Sequence, residues 1–128
     1  MEIHGVTLVD YEKFFNEMLG LNKNIRYVGI YSKDKTYGKM REGLPNLLTP
    51  EESKKSLNDT FARWKTRTDL AHKIGEPLYA MAEYKKVKRI TFPLDKERLI
   101  LITTEPEAYH EIITKELLEI RDRYISSS

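Results

Sequence analysis

Residues 78–105 read LYAMAEYKKVKRITFPLDKERLILITTE, and their pattern is the strongest indication of the fold. Apolar and β-branched residues fall into three short runs separated by polar turns, which predicts strands at Leu78–Tyr84, Val87–Leu94 and Arg98–Thr104. The links between these strands are too short for a crossover connection, so the three strands should pair antiparallel. The last run, RLILITT, is apolar enough to predict a buried central strand.

A long amphipathic helix should precede this meander. The residues TPEE at 49–52 are the clearest start signal, because they combine a capping box with proline at the first helical position. The helix should run to about Ile74, where Gly75 ends it. Its apolar stripe comprises Leu57, Phe61, Trp64, Leu70, Ala71 and Ile74.

Two further amphipathic helices are predicted near the ends of the sequence. The first should occupy Leu8–Leu19, between a cap at Thr7 and a stop at Gly20. The last should begin near Thr104–Pro106 and run to about Ile125. Its apolar stripe comprises Tyr109, Ile112, Ile113, Leu117, Ile120 and Tyr124.

A β-hairpin should follow the first helix. Ile25–Ser32 and Thr36–Arg41 are rich in β-branched and aromatic residues, and a polar turn at 33–35 separates them. Gly29 and Gly38 within these strands predict a bulge or a close backbone approach.

The element order is therefore α-β-β-α-β-β-β-α, an α+β fold with a five-stranded antiparallel sheet. The terminal helices should cover one face, and the long middle helix either covers the other face or lies in a dimer interface. We expect residues 1–125 to form a single domain and residues 126–128 to form a frayed tail.

Composition and motifs exclude several classes of site. The 128 residues include no cysteine, which removes disulfide scaffolds, thiolate metal sites and cysteine nucleophiles. His4, His72 and His110 show no metal-ligand spacing, and no nucleophile or phosphate-loop motif occurs. The longest apolar run is Leu99–Ile102, too short to span a membrane. We therefore expect a cytoplasmic protein that is not an enzyme and has no cofactor or metal.

This arrangement resembles the roadblock/longin-type domains of the profilin-like group. The resemblance rests on the long helix that ends at Gly75, the meander of residues 78–105 and the amphipathic helix after it. The first hairpin departs from the pattern, since SKDKTYG stands where a small-residue turn is usual. The resemblance implies a non-enzymatic homodimer that pairs through the middle helix and an adjacent strand. It also implies an adaptor or regulatory role in signalling or transport, with protein partners such as a small GTPase.

The middle helix is the predicted dimer or partner interface. Its predicted length of about 24 residues gives roughly 36 Å, which is long for a single five-stranded sheet. Leu57, Phe61 and Trp64 are therefore predicted to be either core or interface residues, with Arg63 and Arg67 beside them as candidates for cross-dimer ion pairs.

Two alternative functions remain open from the sequence. Basic residues concentrate in the hairpins although the net charge is only +2, which is low for a dedicated nucleic-acid binder. A weak nucleic-acid patch would use Lys33, Lys35, Lys39, Arg41, Lys85, Lys86, Lys88 and Arg89. A small-molecule sensor would instead line a pocket with Tyr27, Tyr31, Tyr37 and Tyr84.

Overall fold

The computed structural model of the chain describes residues 8–33 and 35–126. The helices are α1 (Leu8–Leu21), α2 (Pro50–Asp69), α3 (Ala71–Ile74) and α4 (His110–Ser126). The strands are β1 (Ile25–Tyr31), β2 (Thr36–Met40), β3 (Ala80–Glu83), β4 (Lys88–Pro93) and β5 (Leu99–Thr104). This confirms the predicted α+β element order, with α3 as a short addition. Within these residues no helix is both long and apolar enough to cross a membrane.

The five strands form one antiparallel sheet in the order β2-β1-β5-β4-β3. β5 lies at the centre, as its apolar run predicts. Its pairing with β1 joins the N-terminal hairpin to the meander. α2 then connects the β2 edge to the β3 edge, which are four strand spacings or about 19 Å apart. A helix of 20 residues has ample length for this connection.

α1 and α4 cover one face of the sheet. Phe14 and Met18 from α1 and Leu117 from α4 are fully buried against Val28 and Ile102 of the sheet. Apolar residues recur at helical spacing on both helices, which explains why each helix buries a single face. The predicted cap at Thr7 lies outside the described residues, as do residues 127 and 128 of the predicted tail.

α2 covers the opposite face. Leu57, Phe61 and Trp64 pack against Tyr31 and Leu101, forming a second, smaller core. The capping box begins α2 as predicted: the Glu52 backbone N–H donates to the Thr49 hydroxyl at 3.1 Å, and the Thr49 N–H donates to the Glu52 carboxylate at 2.9 Å. The middle helix is thus part of the fold of a single chain.

The C-terminal part of the middle helix differs from the prediction. The helix is interrupted at Leu70 and continues only as α3, which Gly75 ends at φ 91°. Leu70 and Ile74 were predicted to lie in the apolar stripe, but they are 50% and 79% exposed. Trp64 is the last described α2 residue in the core on this face of the sheet, so Leu70 and Ile74 lie beyond the packed part of the helix.

The last helix begins later than predicted. The Glu105 N–H still donates to Asn24 O at 2.8 Å, which extends the sheet pairing and delays the helix to His110. Tyr109 and Ile112 were assigned to the buried stripe but are exposed. The helix includes Ser126, which was predicted to belong to the tail.

The two strand glycines have a different role from the one predicted. Gly29 and Gly38 are cross-strand partners, and the side chain of Tyr27 lies across both. The β-bulge occurs instead between Ile25 and Tyr27, opposite β5. The extra residue, Arg26, is buried and pairs with Glu105 at 2.9 Å.

Candidate functional site

The sheet has two open edges. In the described part of the chain, β2 pairs only with β1, and β3 pairs only with β4. An open edge presents unpaired backbone N–H and C=O groups, which other chains can use as a template. The two edges differ in what surrounds them.

Two residues of β3 direct their backbone groups outward. The Tyr84 N–H donates to Val87 O at 2.8 Å at the β3–β4 turn, so hydrogen-bonded and non-hydrogen-bonded pairs alternate from that point. The Glu83↔Lys88 pair is therefore non-hydrogen-bonded, and so is the pair that Met81 makes. Met81 and Glu83 thus present their N–H and C=O groups to the open edge.

A cleft of about 350 Å³ lies between β3 and α2. Ala80 and Ala82 form its floor, and their small side chains leave the space open beneath the helix. The side of α2 that faces this cleft carries charges of both signs, from Glu52, Lys55, Asp59, Arg63 and Arg67.

Exposed apolar side chains line the connection from α2 to β3. Leu70, Ile74, Leu78 and Tyr79 all have at least two fifths of their surface in contact with solvent. Scattered single apolar residues are normal on a protein surface, but four within ten positions of the chain make this connection a candidate interaction surface. We call the β3 edge, the α2 side of the cleft and these four residues the β3 surface.

The predicted interface residues fall into two groups. Trp64 is 4% exposed, and its indole N–H donates to the Thr91 hydroxyl at 2.8 Å. Its side chain is therefore part of the second core. Leu57 and Phe61 are half-buried in the same core. Arg63 is exposed, and the guanidinium of Arg67 lies 5.3 Å from the centre of the Trp64 ring.

The eight basic residues do not form one patch, because four of them are held within the fold. Lys39 binds Glu12 and Asn16, and Arg41 donates to three backbone carbonyls near the end of α1. The buried Lys88 donates to Ala108 O at 2.8 Å and lies 3.0 Å from His110 Nδ1. The fourth, Arg89, donates to the Ser56 hydroxyl.

The other four lysines lie in two separate turns. Lys33 and Lys35 are in the β1–β2 turn, and Lys85 and Lys86 are in the β3–β4 turn. The strand registers place these turns at opposite ends of the sheet and on opposite edges. The turns are therefore roughly 20 Å apart along the strands and roughly 14 Å apart across them. The basic residues that the sequence groups together are not a continuous nucleic-acid surface.

The four tyrosines do not line a common cavity. Tyr31 is buried against Phe61 with ring centroids 5.1 Å apart, and burial raises the pKa of Tyr31 to about 12. Tyr27 lies over the glycine pair, where burial also raises its pKa. Tyr37 packs against Tyr11 on the opposite face of the sheet, and Tyr84 is exposed beside the β3–β4 turn. The predicted tyrosine-lined ligand pocket does not form.

Sequence analysis missed the open β3 edge and the apolar connection before it. The alternation of small residues at Ala80 and Ala82 was a usable signal, since it predicts a strand with little bulk on one face. The apolar pair Leu78-Tyr79 directly before it was assigned to the strand, whereas the strand begins at Ala80.

The fold has solved counterparts of similar size. The gliding protein MglB from Thermus thermophilus aligns with a TM-score of 0.69 at 14% identity, over 100% of this chain and 99% of that chain. A Roadblock/LC7 domain from Streptomyces avermitilis gives 0.65 at 8% identity, over 87% of this chain and 91% of that chain. A structure described as MglB with tetrameric arrangement gives 0.68 at 14% identity, over 99% and 98%.

These likenesses show the fold alone, because all three identities are low. The chain has a roadblock/longin-type fold, which confirms the resemblance drawn from the element order. No protein-family profile and no curated protein sequence matches the chain.

Proposed function

We propose that this protein is a non-enzymatic homodimeric adaptor, which pairs through the β3 surface and regulates a protein partner. The observation that carries the proposal is the open β3 edge beside a cleft and four exposed apolar side chains. A strand edge gives main-chain hydrogen bonds to a second chain, and the apolar side chains give the area that an interface buries.

The chemistry of this surface suits a second copy of the same chain. A twofold interface needs a self-complementary surface, because each residue meets residues of the same patch. The α2 side of the cleft has this property, since Glu52 and Asp59 alternate with Lys55 and Arg63. Two antiparallel β3 strands would use the outward groups of Met81 and Glu83 from both copies. MglB, which has the same fold, occurs in a tetrameric arrangement, and this supports assembly between copies.

The structure changes which residues test the interface. Because Trp64 belongs to the core, its substitution would unfold the chain rather than separate two copies. Glu83→Pro is a more specific test of the interface than a substitution of Trp64, since it removes an outward N–H without breaking a hydrogen bond to β4. Thr36→Pro is the matched control, because Thr36 presents its N–H outward from the β2 edge in the same way.

The experiment is light scattering after gel filtration, from micromolar to millimolar chain concentration, at low and high salt. The expected result is a dimer for the unmodified chain and for Thr36→Pro. For Glu83→Pro we expect the dissociation constant of the dimer to rise at least tenfold. A monomer for the unmodified chain throughout this range would refute the proposal. An equal effect of both proline variants would refute the role of β3.

The partner we propose is a small GTPase, which the roadblock-type fold supports as a class. The test is binding of the purified chain to small GTPases from the same genome, each loaded with GDP or a non-hydrolysable GTP analogue. Binding that depends on the bound nucleotide supports the proposal. Absence of binding to every GTPase in both states contradicts it.

A further inference from the structure

The β2 edge borders a groove that does not involve the β3 surface. Two adjoining spaces of about 340 and 360 Å³ lie beneath the N-terminal half of α2. The larger one extends from β2 across the sheet to Arg89 of β4, which also lines the cleft beside β3. Thr36, Pro50, Ser53 and Leu57 line both spaces, so the two form one continuous groove along the edge strand.

The backbone of β2 faces outward at alternate residues along the edge beside this groove. Ser32 N–H donates to Lys35 O at 2.8 Å and Arg41 N–H donates to Arg26 O at 2.7 Å, which sets the hydrogen-bonded pairs at both ends of the hairpin. Three residues of β2 lie in the non-hydrogen-bonded pairs between them and present free N–H and C=O groups at the edge. They are Thr36, Gly38 and Met40.

The two ends of the groove differ in chemistry. At the Thr36 end the lining includes Lys33, Lys35 and Lys54, and no carboxylate lines the groove among the described residues. At the Met40 end the lining includes the apolar residues Met40, Pro45 and exposed Leu47. The two described arginines at this end are already held, since Arg26 pairs with Glu105 and Arg89 donates to the Ser56 hydroxyl. The structure provides no ion-pair partner for the three lysines among the residues it describes, so their charges are available to a ligand.

We propose that the β2 edge binds an extended, acidic segment of a partner protein as a sixth strand. The segment runs antiparallel to β2, as every pair in this sheet does. It places an apolar side chain beside Met40 and Leu47, a second side chain opposite Gly38 at the rim of the Tyr27 ring, and an acidic side chain beside Lys33 and Lys35. Each of these side chains is two residues from the next along the ligand, because alternate residues of a strand share a face.

Charge complementarity selects this occupant. A strand edge alone accepts any extended chain, but three lysines lie at one end of the groove with no carboxylate beside them among the described lining residues. This favours a carboxylate of the ligand at that end. The order of apolar residue first and acidic residue four positions later follows from the antiparallel direction. The proposal does not depend on dimerisation, since the β3 surface lies at the other edge of the sheet.

The test uses a phage-displayed library of random ten-residue peptides, selected on the immobilised full chain. Selected peptides should share an apolar residue followed four positions later by Asp or Glu. Their affinity should fall at least tenfold for the double variant Lys33→Glu/Lys35→Glu. Lys85→Glu/Lys86→Glu is the matched control, with the same charge change in the other exposed turn, and should change affinity less than twofold.

A second pair of variants tests the strand addition itself. Thr36→Pro should lower the affinity for the selected peptides at least tenfold, and Glu83→Pro should leave that affinity unchanged. These effects are the reverse of those expected on dimerisation. Thermal unfolding establishes that each variant is folded. Failure to select peptides, equal loss in both charge-reversal variants, or a change of mass with Thr36→Pro would overturn the proposal. The last of these results would mean that a second copy occupies the β2 edge.

Discussion

At the scale of single residues, the hydrogen bond between Trp64 and Thr91 holds α2 on the sheet. Both side chains are buried, and the indole N–H has the Thr91 hydroxyl as its partner at 2.8 Å. Thr91→Val keeps the shape of the side chain but leaves the N–H unsatisfied, so we expect it to lower the free energy of unfolding by about 1–3 kcal/mol.

Urea unfolding followed by tryptophan fluorescence measures this loss. Thr66→Val is the control, because Thr66 is exposed and its hydroxyl donates only to a carbonyl of its own helix. Equal stability of Thr91→Val and Thr66→Val would show that the hydrogen bond contributes nothing.

A second residue-scale prediction concerns the link between α1 and α4. Partial burial alone would raise the pKa of Glu17, but hydrogen bonds from Tyr124 and Arg123 outweigh it and hold the pKa below its ordinary value. The carboxylate therefore adds stability above its unfolded-state pKa of about 4.3, and this stability is lost as the pH falls through the lower folded-state pKa.

Glu17→Gln should therefore be less stable than the unmodified chain at pH 7, and the gap should close as the pH is lowered from about 5 to about 3. Thermal unfolding at several pH values tests this. Glu119→Gln, on the exposed face of α4, should show no such convergence. A gap for Glu17→Gln that stays constant with pH would contradict the role assigned to the carboxylate.

At the scale of elements, the first hairpin depends on an aromatic ring that covers two glycines. A Cβ atom on Gly38 would lie 2.0 Å from the Tyr27 hydroxyl oxygen, and one on Gly29 would lie 2.5 Å from it. The ring protects the backbone of an otherwise bare glycine pair, which is a known way to stabilise strand glycines.

Gly38→Ala should consequently lower the free energy of unfolding by about 1–3 kcal/mol, because the ring must move to admit the methyl group. In a Tyr27→Ala background the same substitution should cost clearly less. Chemical denaturation of the unmodified chain, the two single variants and the double variant measures the coupling between Gly38 and Tyr27. Costs that are equal in both backgrounds would mean that the ring does not restrict Gly38.

Sequence analysis predicted the elements best where local chemistry determines them. The TPEE capping box sets the start of α2 through its own hydrogen bonds, and Gly75 ends α3 through its backbone angle. The start of α4 could not be predicted in this way, since it depends on the bond from Glu105 N–H to Asn24 O on a distant part of the chain. The exposure of Ile74 likewise depends on where the packed part of the helix ends.

At the scale of the whole molecule, the strand order determines which charges meet. The meander could be predicted from short links, but the β1–β5 pair joins distant segments and has no local signal. That pairing separates the two lysine-rich turns, so the predicted patch of eight basic residues does not form. It also makes β2 and β3 the two edges, which the sequence alone could not reveal.

The two edges explain how one small domain can have two binding roles. The β3 surface has charges of both signs and exposed apolar residues, which suit a copy of itself. The β2 groove has only basic residues among its described charged lining, which suits an acidic partner. α2 separates the two edges, so occupation of one leaves the other accessible.

Amide hydrogen exchange tests whether two copies pair through β3, because both edges of the sheet are followed in the same sample. The outward N–H groups of Met81 and Glu83 are compared with those of Thr36 and Gly38 on the other edge, from low to high chain concentration. We expect protection at Met81 and Glu83 to rise with concentration, while Thr36 and Gly38 exchange rapidly throughout. Equally rapid exchange at both edges at every concentration would contradict the pairing through β3.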